Sequence, residues 1–186
     1  MNIKSLLCSL LLCALLLSAG LSAAIAAELT EEDMALGGIH IGDSSFEVEL
    51  RYGAPERIED GAQGFFAGQI VPLRTYYYFG DYLQVRFLPD AARVYDVMLG
   101  LNDVNAYGHD MSAHACSIAT PHGIHLGSTR ADLESAYGYL PPPKCGHTAP
   151  PVCVYSYSGE SAQLAFYICA ERSPGIRSIW LYERYE

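Results

Sequence analysis

The chain has 186 residues, with 11 Lys and Arg against 21 Asp and Glu, and a net charge of −10 at neutral pH. Such a balance repels phosphate backbones and anionic lipid, which argues against nucleic-acid binding and favours a basic protein partner. Hydrophobic residues make up 51%, enough to fill the core of a single domain.

Residues 1–26 read as a cleaved signal peptide. Lys4 supplies the positive charge, Leu6 to Leu17 the apolar run, and Ala24-Ile25-Ala26 the cleavage site. The run is short for a spanning helix, which needs about 20 residues. Cys8 and Cys13 each follow Leu-Leu, unlike the small residues that precede a lipidated cysteine. The mature chain is therefore expected to be exported, periplasmic or secreted, and one unit more negative after losing Lys4. Its remaining cysteines are Cys116, Cys145, Cys153 and Cys169. In an oxidising compartment they read as two disulfides, with three connectivities open.

Two stretches match each other at one offset. Gly38-Ile39-His40-Ile41-Gly42 recurs as Gly123-Ile124-His125-Leu126-Gly127. Val48-Glu49 and Tyr52-Gly53 align with Leu133-Glu134 and Tyr137-Gly138. A second block follows in each half: Tyr76, Tyr78, Gly80, Asp81, Gln84, Val85 and Phe87 align with Tyr155, Tyr157, Gly159, Glu160, Gln163, Leu164 and Phe166. The chain thus reads as a first repeat over 28–100, a polar linker over 101–121 and a second repeat over 122–186.

In chain order, Thr30 to Asp33 is expected to cap a helix over 31–36. Ser44 to Glu47 is a capping box for a second helix, closed by Tyr52-Gly53. Thr129 to Asp132 and Gly138 play the same parts in the second repeat, and Pro55 and Pro141 stop continuation. Leu83, Val85 and Phe87 alternate with Tyr82, Gln84 and Arg86, the period-2 pattern of a half-buried strand. Leu164, Phe166 and Ile168 alternate likewise with Gln163, Ala165 and Tyr167. Val94 to Leu99 and Ile176 to Leu181 are the next strands. The layout is α+β: in each repeat a helix–loop–helix against an antiparallel sheet.

These motifs, a Gly-Ile-x-Ile/Leu-Gly turn, a capped helix ending in Tyr-Gly, a proline and a strand meander, resemble the BamE/SmpA–OmlA superfamily. Two tandem copies in an exported chain are similar to its β-lactamase-inhibitor-protein-like arrangement. The resemblance implies two sheets making one concave surface that binds other proteins without catalysis. It also implies a Cys145–Cys153 disulfide, leaving Cys116 with Cys169. The first repeat lacks such cysteines, and the lipid-attachment cysteine usual in BamE-like lipoproteins is missing.

His109, His114, His122 and His125 lie close together in sequence, and imidazoles suit zinc. Their spacing matches no tight ligand pattern, so a metal-dependent hydrolase is the weakest of three readings, and no cofactor is expected. No Gly-x-Ser-x-Gly elbow frames a nucleophile, and no pair among the acids stands out for glycoside hydrolysis. Gly61-Ala62-Gln63-Gly64 lacks the lysine of a phosphate loop. The tyrosines carry the stronger signal. Neighbours on a strand face opposite sides, so one tyrosine set is expected to meet the helices and the other to lie on the open face. Tyr76, Tyr78, Tyr82, Tyr155, Tyr157 and Tyr167 are the candidate contacts with a protein partner. The expected function is a non-enzymatic binding module, including inhibition of a partner enzyme; a cell-envelope assembly factor is the alternative.

Overall fold

A computed structural model describes residues 29–89, 92–100, 113–146, 151–169 and 175–184. The expected signal peptide, His109 and most of the expected linker lie outside the described residues. Among those described, no helix is long and apolar enough to cross a membrane.

The described residues begin with a 3-10 turn, Glu31–Asp33, followed by β1 (Ala35–Leu36) and β2 (Ile39–His40). Helix α1 (Ser45–Tyr52) leads into β3 (Arg57–Phe66), β4 (Gln69–Tyr78), β5 (Leu83–Leu88) and β6 (Arg93–Leu99). Helices α2 (Ala113–Ser117) and α3 (Arg130–Tyr137) precede β7 (Lys144–Cys145), β8 (Val152–Ser158), β9 (Ala162–Cys169) and β10 (Ile176–Glu183). β1 and β2 form a small hairpin, while the other eight strands form one sheet in the order β3-β4-β5-β6-β10-β9-β8-β7, antiparallel throughout.

This corrects the expected α+β architecture of two helix–loop–helix repeats on two sheets. The protein is mostly β, with three short α-helices among the described residues. The helix expected over 31–36 stops after one turn because Gly37 and Gly38 follow, both at positive φ (62° and 71°). They turn the chain back so that Leu36 pairs with Ile39, the two-residue hairpin that consecutive glycines favour. Each matched half keeps one eight-residue helix on the sheet, and the strands dominate.

Helix ends form where the sequence marks them. Ser44 Oγ accepts the Glu47 N–H, and the Glu47 carboxylate accepts the Ser44 N–H at 2.7 Å. Thr129 and Asp132 repeat the pair at 3.2 and 2.6 Å. Gly138 then sits in the left-handed region, ending α3.

Two cross-strand rows build the covered face. One runs Tyr76–Val85–Val97–Leu181–Leu164–Tyr157. The other runs Tyr78–Leu83–Leu99–Ile179–Phe166–Tyr155. All twelve side chains are buried, and Val48 of α1 and Leu133 and Tyr137 of α3 pack into the same core. Removing a residue such as Leu83 or Leu164, each 0% exposed, would cost about 2–5 kcal/mol on truncation to alanine.

β5 pairs with β4 only over Arg74–Tyr78. The rest of β4 and the end of β3 therefore project as an arm, with Phe65 opposite Ile70 near its tip. A bulge at Gly61 (φ 111°) bends the arm. Its apolar root, Leu73 with Leu88 and Tyr95, is a second small cluster. Gly64 is required there: a Cβ would lie 2.9 Å from Leu73 Cδ1 and from Tyr95 Cζ.

Cys145 and Cys153 are bonded across the β7–β8 pair. Cys116 and Cys169 are free thiols, half-buried and buried. The expected Cys116–Cys169 bridge is thus corrected: α2 and the end of β9 hold the two thiols separately. Closing the short loop between Cys145 and Cys153 should contribute about 2–3 kcal/mol. Replacing both by serine is expected to lower the urea midpoint by a corresponding amount. A peptide map of the oxidised mature chain should show Cys145 linked to Cys153 and alkylation of Cys116 and Cys169 alone.

The capping carboxylates make stability depend on acid. The Ser44 N–H and hydroxyl hold Glu47 below its ordinary pKa, and Thr129 does the same for Asp132. A depressed folded pKa gives stabilisation that is complete above the ordinary carboxylate range of about 4 and is lost as pH falls through the folded values. A Glu47→Gln, Asp132→Asn variant should melt in less urea than the native chain at neutral pH. The gap should narrow as the pH falls below the ordinary carboxylate range, as read from urea melts at successive pH values.

Candidate functional site

Helices cover one face of the eight-stranded sheet, so function is sought on the other. Two rows cross that face. One is Thr75–Arg86–Asp96–Tyr182–Gln163–Ser158, and the other Tyr77–Gln84–Met98–Trp180–Ala165–Ser156. Trp180 is the chain's single tryptophan. Tyr77, Trp180 and Tyr182 thus share these rows with Arg86, Asp96, Met98 and small and amide side chains.

Each ring is held by a polar partner. The Arg57 guanidinium lies 3.6 Å from the Tyr77 ring centroid, and the Tyr77 hydroxyl donates to Glu59 at 2.9 Å. Arg57 also reaches Glu59, and Asp81 at 2.8 Å. Tyr182 donates to Gln163 Oε1 at 2.6 Å, and its ring centroid is 5.4 Å from that of Trp180. Arg86 stands over Trp180 at 5.8 Å and grips Asp96 through two nitrogens, with Nε–Oδ1 at 2.6 Å. Asp96 is 1% exposed. Burial pushes its carboxyl up from the ordinary aspartate value, against the pull of Arg86. The Trp180 Nε1 is shut off from solvent close to Asp96 but makes no well-aligned hydrogen bond among the described residues.

The arm adds a wall. Tyr95 is the extra residue where the β5–β6 register shifts. Its hydroxyl donates to the Phe65 carbonyl and accepts the Phe65 N–H, both at 3.0 Å. The arm is thereby tied beside the sheet, enclosing a cleft of about 530 Å³ between Gln63, Phe65 and Ile70 on one side and Arg86, Trp180 and Tyr182 on the other.

The structure disperses the residues singled out in the sequence. Tyr76, Tyr78, Tyr155 and Tyr157 end the two apolar rows of the covered face and are buried, at 8%, 2%, 3% and 0% exposure. The choice of these four as contacts is corrected, because the other parity of each strand faces out. Burial raises the pKa of Tyr78 and Tyr157, and Tyr157 donates to the Tyr139 carbonyl at 2.9 Å. Tyr82 is half-buried against the core in the β4–β5 turn. Tyr167, paired with Val154 and Ser178, is half-buried on the open face. Tyr77, Trp180 and Tyr182 were missed. The signal for the last two was present: Ile179 and Leu181 form the apolar parity of β10, which turns Trp180 and Tyr182 to the other side.

Among the described side chains, His122 and His125 have separate partners. His122 Nε2 meets Asp33 Oδ1 at 2.9 Å with its ring 4.6 Å from Tyr137, whereas His125 Nδ1 faces the Leu126 carbonyl at 2.8 Å. His114 belongs to α2, and His109 lies outside the described residues. No group of three possible metal ligands occurs among the described residues. His122 instead fastens the first turn of the chain to the second half, together with Glu31, which accepts the Ser161 N–H at 2.8 Å.

No protein-family model and no curated protein matches the sequence. Among solved structures the chain is similar to a DUF4309 family protein (YjgB) from Bacillus subtilis subsp. subtilis str. 168. The two share 14% identity over 79% of this chain and 83% of that one, with a TM-score of 0.42. None of these comparisons indicates an enzymatic family.

Proposed function

We propose that this chain is an exported, non-enzymatic module that binds a partner protein, such as an enzyme it inhibits, through the open face of its sheet. The observation that carries this reading is the band of Tyr77, Trp180, Tyr182 and Tyr167, with Arg57 and Arg86 among them, on the face that no helix among the described residues covers. Tryptophan, tyrosine and arginine are the residue types that dominate protein-interface energetics. Here Tyr77 and Tyr182 are held by hydrogen bonds and Arg57 and Arg86 by ion pairs, so these four have little side-chain entropy left to lose on binding. The net charge of −10 favours a partner with a basic rim. The signal peptide supports placement outside the cytoplasm.

The test is affinity capture from cell-envelope and culture fractions on the immobilised mature protein, with its disulfide formed. The comparison uses a Tyr77→Ala, Trp180→Ala variant and a Phe46→Ala, Leu50→Ala variant. The last two residues are 71% and 77% exposed on α1, on the opposite side of the sheet. One protein should be retained by the native and α1 variants, with the open-face variant weakened by about 100-fold or more. Capture that survives the open-face changes, or no capture by the native chain, overturns the reading.

A further inference from the structure

The cleft beneath the arm has a composition of its own. The charged side chains in its lining are Arg86 and Asp96, and they are paired with each other. The site is thus neutral overall. An anionic ligand would have to draw Arg86 from a carboxylate that is 1% exposed, leaving a buried charge uncompensated. A cation would meet the Arg86 guanidinium already standing over Trp180. The remaining lining is aromatic and apolar, with the two-pronged Gln63 amide exposed at the rim.

We propose that this cleft binds a neutral saccharide, its apolar ring face lying against Trp180 and Tyr182 and its hydroxyl edge meeting Gln63 and Arg86. Sugars present that division: one face of C–H groups and a rim of adjacent hydroxyls. Flat rings suit the first, and planar groups with two nearby polar atoms suit the second. A tyrosyl side chain from a protein offers a single hydroxyl and would leave most of these groups unused. The platform is already built, because Tyr182 is fixed by Gln163 and the arm by Tyr95. The cleft volume of about 530 Å³ falls within the usual range of small-ligand sites. Saccharide binding here needs no protein partner, so it stands or falls apart from the capture experiment.

Trp180, the single tryptophan, is a built-in reporter. The mature protein is titrated with cellotriose, maltotriose and chitotriose while Trp180 emission is followed. At least one sugar should give a saturable change. Gln63→Ala, at an exposed position, and Tyr182→Ala should each raise the dissociation constant about tenfold or more with melting temperature checked in parallel, and Phe46→Ala should leave it unchanged. The proposal is overturned if no sugar alters emission at about 10 mM, or if both cleft variants respond like the native chain. It is equally overturned if only N-acetyltyrosinamide binds, since the cleft would then take a protein side chain.

Discussion

Everything in this molecule depends on the pairing of β6 with β10. Without it, each half of the chain would present a four-stranded sheet with an unpaired inner edge, and such edges invite association. The seam, Val97 opposite Leu181 and Leu99 opposite Ile179, closes both edges at once. It also aligns the halves so that apolar rows run unbroken across six strands. A slip of one residue there would turn Ile179 and Leu181 outward and bury Trp180 and Tyr182. The core and the open-face band are therefore set by the same register.

The seam also explains why the ion pair sits where it does. Asp96 is on β6 and pairs with Tyr182 of β10, while Arg86 reaches it from β5. A buried carboxylate is costly unless it is gripped on both oxygens, and Arg86 does this within one cross-strand row. The same guanidinium lies over Trp180, a ring from the other half of the chain. The pair consequently fixes the orientation of the open-face aromatics more than it adds to stability, since buried ion pairs seldom outweigh their desolvation by much.

Local rules were legible in the sequence wherever they act over a few residues. The capping boxes at Ser44 and Thr129, the glycine stop at Gly138 and the period-2 strands at Leu83 and Leu164 all form. What local rules do not carry is which side of a strand meets the helices. Tyr76 and Tyr78 read as candidate contacts because tyrosine suits a wet sheet face and a buried one alike. Their burial follows from long-range register, Tyr76 beside Val85 and Tyr78 beside Leu83. The helix expected at 31–36 failed for a local reason, since its acidic start resembles a cap while Gly37-Gly38 enforce a hairpin. The arm was hidden because its strands alternate weakly: Phe65 and Ile70 are exposed, and its order comes from Tyr95, thirty residues away.

The two halves match in sequence yet diverge in how each holds its outer hairpin. β3 and β4 share nine paired positions, so their register needs no covalent help. β7 contributes two residues to its ladder, and there the Cys145–Cys153 bond supplies the restraint. This accounts for the bonded cysteine pair lying in the second half. It also places the cleft on one side alone, because a two-residue strand has no length to project over the sheet. The helices diverge in the same sense: Phe46 and Leu50, exposed on α1, stand where α3 has Ala131 and Ser135. The short, stapled half supplies Trp180, Tyr182 and Tyr167 to the open face, while the long-armed half supplies the projecting wall with Phe65 and Ile70.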